Sequence, residues 1–335
     1  MKTQQEHQSN RRESGSQLPT QTDEKKLTLD RREIAEGLAE KPGHDELVPS
    51  RYSLQVGEIE VLVISDGVLP LPTAMLGTNV DPAVRDAWLD EQFLSPGTTD
   101  WPLNAVVVRS GGQTVLIDAG LGGDPNLDLQ RAGRLNLRLE AAGIDLASVT
   151  DVVLTHLHMD HIGGLLVDGV KDRLRPNVRI HVAAAEVAFW QSPDFSRTAM
   201  PEGFPDALRS TAKRFLNEYR NQLKQFDDES EVAPGVVACR TGGHTPGHSI
   251  VRLSSGGERL TFAGDAVFTV GFDQPDWHNG FEHDPEEAAR VRMRLFKELA
   301  STGEALVATH LSFPSVCHVA ETDDGFRWVP AVWGH

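Results

Sequence analysis

One short segment of the chain concentrates side chains that are able to hold metal ions. Residues 155–164 read THLHMDHIGG, so three imidazoles and one carboxylate fall within six positions directly after an apolar run. In an extended segment, residues i and i+2 point the same way, so His156 and His158 can bind one ion. A turn after His158 would direct Asp160 and His161 toward a second ion nearby.

Three further candidate ligands lie at the ends of later strand-like runs. His244 stands in the glycine-rich segment GGHTPGH, Asp265 follows FAG, and His310 follows AT. Imidazole and carboxylate ligands without thiolate suit zinc, and manganese, cobalt or iron also fit. A carboxylate between two cations can bridge them, and Asp265 is the best candidate. The pattern predicts one ion held by His156, His158 and His244 and a second held by Asp160, His161 and His310.

The elements around these residues alternate between strands and helices. Extended, β-branched runs predict strands at 59–64, 105–108, 114–117, 152–154, 178–182, 235–238, 249–253, 259–262, 305–308 and 326–330. Helices are predicted at 128–142, ending before Gly143, and at 205–226. Strands separated by helices indicate an α/β domain whose sheets are covered by helices.

A third helix has the clearest start. Asp284 can cap it, Pro285 suits its first position, and Glu287 completes a capping box. Its apolar positions recur at helical spacing and predict a buried stripe of Ala288, Val291, Leu295 and Leu299.

The first 50 residues differ in composition from the rest. They are rich in Gln, Glu, Lys, Arg and Ser, so burial cannot offset the entropy of ordering them. We therefore expect a largely disordered tail over residues 1–50, with one short helix near 30–40, and a single folded domain over residues 51–335.

Composition also limits the function classes. A formal net charge of −17 argues against a nucleic-acid surface, which needs a basic footprint. Two distant cysteines, Cys239 and Cys317, exclude a disulfide framework and a cysteine-rich zinc site, and Cys317 is expected to be buried as a small apolar residue. The N-terminus is polar, and no apolar run reaches the roughly 18 residues that span a bilayer. We therefore predict a cytoplasmic protein with no nucleic-acid or membrane partner.

The seven candidate ligands occur in the order typical of the metallo-β-lactamase superfamily, and the chain resembles that family. The resemblance rests on H-x-H-x-D-H at 156–161, the later His244, the Asp265 of a bridging position and His310. It implies a four-layered αββα sandwich and a hydroxide shared by two divalent cations as nucleophile. Asp118, in the segment IDAG, is expected to orient ligands. Asp265 and Asp160 are the catalytic candidates, the latter as a proton shuttle to the leaving group.

Within the superfamily, the sequence is similar to methyl parathion hydrolase and its lactonase and arylesterase relatives. The matching segments are SDG at 65–67, FW at 189–190, HTPGH at 244–248, HLSFP at 310–314 and GFRWVP at 325–330. The resemblance implies hydrolysis of lactones or aryl esters, with phosphotriesters as a further class. It also implies a small-molecule substrate, and it leaves a homodimer open.

Two alternatives remain within the superfamily and one outside catalysis. The first is an acyl-homoserine lactonase; those enzymes have a Tyr three residues after the bridging Asp, where this chain has Phe268. The second is a mononuclear iron dioxygenase acting on persulfides, whose branch shares the histidine motif. The third is a sensor or scaffold whose tail binds a partner.

Aromatic residues near the ligand motifs are candidates for the substrate pocket. Several of the five aromatics Trp190, Phe268, Phe272, Trp277 and Phe313 are predicted to line it, and ordinary core packing is the alternative for each. Trp190 and Phe313 are favoured because they match the family's motifs. His248 is expected to be structural, and His278 and His283 are expected to lie on the surface.

Overall fold

The computed structural model describes residues 48–123, 131–323 and 325–332. All but the last three residues of the predicted tail lie outside this range, and so does the predicted helix near 30–40. The prediction of a disordered tail therefore stays a prediction. Within the described part, no helix is both long and apolar enough to cross a membrane.

The first sheet comes from the first half of the folded chain. Its seven strands pair in sequence order, antiparallel from β1 to β4 and parallel from β4 to β7. The strands are β1 (Arg51–Val56), β2 (Ile59–Pro72), β3 (Thr98–Ser110), β4 (Gln113–Ile117), β5 (Asp151–Val153), β6 (Arg179–Ala183) and β7 (Leu223–Phe226).

The second sheet comes from the second half, and its seven strands also pair in sequence order. All neighbouring pairs are antiparallel except β11 and β12, which are parallel. The strands are β8 (Glu229–Ala233), β9 (Val236–Arg240), β10 (Ser249–Ser255), β11 (Glu258–Phe262), β12 (Ala305–Val307), β13 (Cys317–Glu321) and β14 (Phe326–Pro330).

The α-helices are short except for two. The eight in the described residues are α1 (Pro82–Glu91), α2 (Leu135–Ala141), α3 (Met159–Ile162), α4 (Val170–Arg173), α5 (Ala184–Trp190), α6 (Phe204–Glu218), α7 (Val270–Asp273) and α8 (Pro285–Thr302). As predicted, Asp284 caps α8 by accepting a hydrogen bond from the Glu287 N–H at 3.2 Å. The predicted stripe on α8 is buried.

Three apolar clusters define the layers. One packs α2, α5 and α6 on the outer face of the first sheet, with residues such as Leu139, Val152 and Phe215. The second lies between the sheets and joins, for example, Val63 to Val251. The third packs α8 on the second sheet through Leu295 and Leu299. Helix, sheet, sheet and helix are thus stacked in order, which confirms the predicted four-layered αββα sandwich.

Two predicted helices are shorter in the structure. The predicted helix at 128–142 begins only at Leu135, since Gly133 has φ of 71° and the preceding turn is not helical; positions 128–130 lie outside the described residues. The predicted helix at 205–226 ends at Glu218, because residues 223–226 pair with β6 as β7. The edge strands β1 and β8 and the inner strand β13 were also missed, because they lack a long β-branched run.

Candidate metal centre

The seven predicted ligands converge at one end of the sandwich. His156, His158, Asp160 and His161 follow β5, whereas His244 lies between β9 and β10, Asp265 follows β11, and His310 follows β12. The loops that leave the strands therefore carry the site, and the sheets fix the distances between them. The first sheet supplies four of the side chains and the second supplies three.

These side chains form two groups that share one member. In each group, one potential ligand atom per residue lies within 4.8 Å of the others. The Asp265 carboxylate belongs to both: its Oδ1 lies 3.2 Å from His161 Nε2, and its Oδ2 lies 3.3 Å from His244 Nε2 and 3.1 Å from His310 Nε2. The groups are His156, His158, His244 with Asp265, and Asp160, His161, His310 with Asp265. This is the division that the sequence predicts.

Several of these atoms are buried without a hydrogen-bond partner in the described structure. They include the Nε2 atoms of His156 and His161 and Oδ1 of Asp265. An unsatisfied buried polar atom costs about 1–3 kcal/mol, so three in one place need a compensating partner. Coordination of divalent cations by the lone pairs of these atoms would supply it. The residues therefore fit a divalent metal site.

For His156, His158 and His244 the electrostatics favour the neutral form that a ligand needs, whereas the carboxylates of Asp265 and Asp160 raise the pKa of His161 and His310 against the effect of burial. Burial, reinforced by neighbouring imidazoles, holds the pKa of His156 and His158 well below the ordinary value. Burial also lowers the pKa of His244, together with the other histidines around it. A neutral imidazole keeps a free lone pair, which is the form that binds a cation.

Asp118 lies behind the ligands. Its Oδ2 is 2.7 Å from Nδ1 of His161, and its Oδ1 accepts a hydrogen bond from the Thr155 N–H at 2.9 Å. The backbone of Asp118 has φ of 56°, a conformation that is strained for a side chain other than glycine. The contact leaves Nε2 of His161 directed at Asp265, which is the orienting arrangement that the sequence predicts.

We therefore expect Asp118→Asn to weaken metal binding by about 10–100-fold while leaving the fold intact. The amide would keep the size of the carboxylate but not the negative charge that fixes the tautomer of His161. Competition with a chromogenic chelator measures the affinity, and thermal unfolding in chelator checks the fold. Unchanged affinity would show that Asp118 does not orient a ligand.

A role for Glu186 was not predicted from the sequence, although its side chain forms hydrogen bonds with two of the ligand loops. It is fully buried on α5. Its carboxylate accepts hydrogen bonds from the Leu157 N–H at 2.9 Å and the Gly247 N–H at 3.0 Å, and from the Thr245 hydroxyl at 2.6 Å. The loops of His156 and His244 are thereby held to the same helix. A lone carboxylate in the apolar run AAEVAFW was the available signal.

Two further side chains fix the remaining ligand loops. His248, expected to be structural, accepts a hydrogen bond from the Asp265 N–H at its Nε2, at 3.1 Å. Burial lowers the pKa of His248 to about 4, so this nitrogen is free to accept. Asn104 on β3 donates to the carbonyls of Thr309 and Leu311 at 2.9 and 2.7 Å, and so holds the loop of His310.

The prediction that His283 lies on the surface is wrong. Its side chain is buried, with Nε2 3.4 Å from Nε2 of His158 and with Phe189 and Phe195 against its ring. The carbonyl of Asp194 lies 3.0 Å from its Nδ1. His278 is only partly buried, and Cys317 is fully buried as predicted.

Gly163 and Gly164 allow two backbone segments to pack closely. Gly163 has a helical backbone, with φ of −62° and ψ of −34°. A Cβ atom at either position would lie 1.9 Å from a backbone oxygen, that of Leu121 or of Ala119. The glycines thus let the Asp118 loop pack directly on the segment that carries His161.

A small cavity opens above the ligands. Its volume is about 30 Å³, and it is bounded by His158, Asp160, Asp265 and His310 at the metal site. The other wall residues are apolar: Leu69, Leu71, Trp101, Met159, Phe204, Leu208 and Phe281. Most of them come from β2, β3 and α6, which are far apart in sequence from the ligand motifs.

The predicted pocket aromatics are placed differently from this wall. Phe268 stacks on His310 with ring centroids 5.4 Å apart, and it lines a neighbouring cavity. Trp190 donates to Glu186 at 2.7 Å, and Trp277 packs edge-on against Trp88. Phe313 packs against the cluster between the sheets, and Phe272 stacks on Phe296. Phe268 thus lines the neighbouring cavity, the other four aromatics pack around the site, and other side chains form the wall of the cavity above the ligands.

The family model of the metallo-beta-lactamase superfamily matches residues 98–310, which is more than half of the chain and includes all seven ligand candidates. The chain belongs to the metallo-β-lactamase superfamily. The predicted class, a metal-dependent hydrolase with a His/Asp site for divalent cations, is thereby confirmed. A closer likeness to methyl parathion hydrolase stays a prediction.

Relatives within the superfamily include two solved structures. AidC, a dizinc quorum-quenching lactonase in complex with the product N-hexanoyl-L-homoserine, has a TM-score of 0.75 and 26% identity, covering 85% of this chain and 99% of its own. The hydrolase AbOPH has a TM-score of 0.74 and 27% identity over 86% of this chain and 99% of its own. A probable metallo-hydrolase of Mycobacterium tuberculosis is 26% identical over 235 residues, 60% of this chain and 69% of the relative.

Proposed function

We propose that this protein is a dinuclear metallohydrolase that cleaves lactones and aryl esters. The observation that carries the proposal is the pair of ligand sets that share Asp265 at the floor of an apolar cavity. Each set offers four donors of the kinds that bind zinc, so each could hold one divalent cation. The seven ligand candidates named above are the proposed metal ligands, and zinc is the proposed metal.

Two cations at this site would activate a shared water molecule as the nucleophile and polarise the scissile carbonyl. The chain's own residues perform the remaining tasks. Asp265, at 4% exposure, is enclosed by imidazoles and holds both ligand sets in register. Asp160 is the most exposed ligand candidate, with 14% of its side chain accessible, and it lines the cavity. This exposure to the cavity supports Asp160 as the proposed proton shuttle to the leaving group.

The walls of the cavity support an acyl or aryl substrate. Leu69, Leu71, Phe204, Leu208 and Phe281 offer apolar surface and no charge. An apolar pocket with a few convergent polar groups at one end positions a substrate by burying its hydrocarbon part. The ester or lactone carbonyl would then face the ligands, and water other than the nucleophile would be excluded.

Among lactones, acyl-homoserine lactones are the first candidates. AidC, whose structure holds N-hexanoyl-L-homoserine, is similar to this chain over almost its whole length. Phe268, at the position where those enzymes have a Tyr, stacks on His310 and cannot donate a hydrogen bond to a lactone oxygen. Aryl esters therefore stay in the proposal beside lactones, with phosphotriesters as a further class. The absence of nucleic-acid partners, a cytoplasmic location and a homodimer stay predictions.

A mononuclear iron dioxygenase is less well supported. It would use one ligand set, whereas the described residues form two sets of comparable enclosure. Metal analysis separates the two: the hydrolase predicts close to two ions per chain, and the dioxygenase predicts one iron with thiol-dependent oxygen uptake.

The test is a substrate panel on protein of measured metal content. We expect dihydrocoumarin, N-hexanoyl-homoserine lactone or 4-nitrophenyl butyrate to be hydrolysed, activity to disappear after chelation, and zinc, cobalt or manganese to restore it. Paraoxon tests the phosphotriester class. Fully metallated protein that turns over none of these compounds would overturn the proposal, as would protein that binds no stoichiometric metal.

A further inference from the structure

A second cavity lies directly beside the one above the ligands. Its volume is about 130 Å³, compared with about 30 Å³ for the first. One water-sized group needs roughly 10–15 Å³ by this measure, so the first cavity holds about two such groups and the second roughly ten. The second cavity therefore offers more space for a substrate than the cavity that faces the ligands.

Two side chains belong to the walls of both cavities, Trp101 and His310. Trp101 is buried, with 5% of its surface exposed. Its ring centroid lies 5.1 Å from those of Phe268 and His310 and 6.0 Å from that of Phe281. Because Phe281 lines the first cavity and Phe268 lines the second, the Trp101 indole stands between the two spaces.

The second cavity is suited to hydrocarbon. Its apolar wall consists of Leu76, Trp88, Leu94, Trp101, Pro102, Phe268 and Val270. The other residues around it are Thr99, Asp100, Thr269, His310 and Ser312. Burial of an apolar group here would raise the affinity for a substrate about fourfold per methylene. Among the described residues, the wall has no lysine or arginine that could bind a charged end of the substrate.

We propose that this cavity is a second subsite for the apolar end of the substrate, and that Trp101 is the specificity-determining residue that limits entry to it. The inference rests on the proposed function, because it assigns the subsite to the acyl or aryl group of the same substrate. Trp101 and His310 are the two side chains that line both cavities. Because His310 is a proposed metal ligand, Trp101 is the one of the two that can set the length of the substrate. The native enzyme then favours short acyl groups.

The test compares 4-nitrophenyl esters from acetate to decanoate on the metallated wild type and on Trp101→Ala. We expect the ratio of kcat/KM for decanoate to that for butyrate to rise at least about tenfold in the variant, since two buried methylenes already provide that gain. Trp101→Phe, which keeps an aromatic wall, should shift the ratio less. Thermal unfolding and metal content show whether each variant is folded and loaded.

A blocking substitution on the far wall is the matched control. Val270 lines only the second cavity, so Trp101→Ala with Val270→Phe should return the ratio to within about threefold of the wild type. An unchanged ratio in folded Trp101→Ala that still hydrolyses butyrate would overturn the subsite and leave the proposed function standing. A gain that survives the blocking substitution would also overturn it.

Binding provides a readout that does not depend on turnover. Calorimetric titration with decanoate and with hexanoate should show decanoate binding at least about tenfold tighter to Trp101→Ala than to wild type, with little change for hexanoate. If neither the esters nor the lactones of the panel are hydrolysed, the proposed function fails, and this titration still decides the subsite. Equal decanoate affinity in both proteins would contradict it.

Discussion

Replacing Asp265 with Ala should remove hydrolytic activity by at least about a thousandfold and reduce bound metal to less than one ion per chain. The reason is that Asp265 belongs to both ligand sets, so its loss withdraws a donor from each cation at once. Loss of an outer hydrogen-bond partner alone typically costs about 10–100-fold, so loss of a shared ligand must cost more. Metal analysis after dialysis, together with kcat/KM on the best substrate of the panel, measures both effects.

Two further variants test whether the effect is specific to a ligand that both sets share. His310→Ala removes a donor from one set only, and it should leave close to one ion per chain, held by His156, His158 and His244 with Asp265. His318→Ala removes an exposed imidazole of β13 and should change neither quantity. Two ions retained by Asp265→Ala would contradict the shared-ligand arrangement, and so would equal metal loss in Asp265→Ala and His310→Ala.

Replacing Arg292 with Leu should lower the free energy of unfolding by about 3–5 kcal/mol, because the change leaves a buried carboxylate unpaired. Arg292 lies on α8 with 2% exposure, and it forms an ion pair with Glu282, which is fully buried. It also donates to the carbonyls of Pro275 and Trp277, each at 2.9 Å. Urea unfolding of the metal-free protein measures the loss without a contribution from metal binding.

A matched exposed pair provides the control. Arg252 on β10 and Glu298 on α8 also form an ion pair, but their side chains are 34% and 44% exposed. Arg252→Leu should therefore cost no more than about 1 kcal/mol. Arg292→Leu combined with Glu282→Leu should recover part of the loss, since no charge is then left buried and unpaired. Equal losses of unfolding free energy for Arg292→Leu and Arg252→Leu would show that burial of the ion pair does not determine its contribution to stability.

The ligands could be predicted from the sequence because they either lie close together in the chain or follow apolar, strand-like runs. Four of them stand within six residues, and Asp265 and His310 directly follow apolar runs that the structure shows as β11 and β12. The shared carboxylate and Asp118 followed from the chemistry of the side chains and from the family resemblance. Neither inference required knowledge of which distant segments touch.

The pocket could not be predicted in the same way, because its walls come from segments far from the ligand motifs. Leu69 and Trp101 pair across β2 and β3, and Phe204 begins α6, yet nothing near them in sequence marks chemistry. His283 was placed on the surface for the same reason, since three aromatic rings from other segments bury it. Proximity in sequence to a ligand was a poor guide to proximity in space.

The origin of the ligands in two sheets has a consequence for how the molecule opens. Each set combines donors from the first sheet with donors from the second, so a cation bound there would link successive halves of the chain. Separation of the two halves would then require release of the cation. A cation at a hundred times its dissociation constant would oppose that separation by about 2.7 kcal/mol per site. The same side chains would therefore support both catalysis and resistance to unfolding.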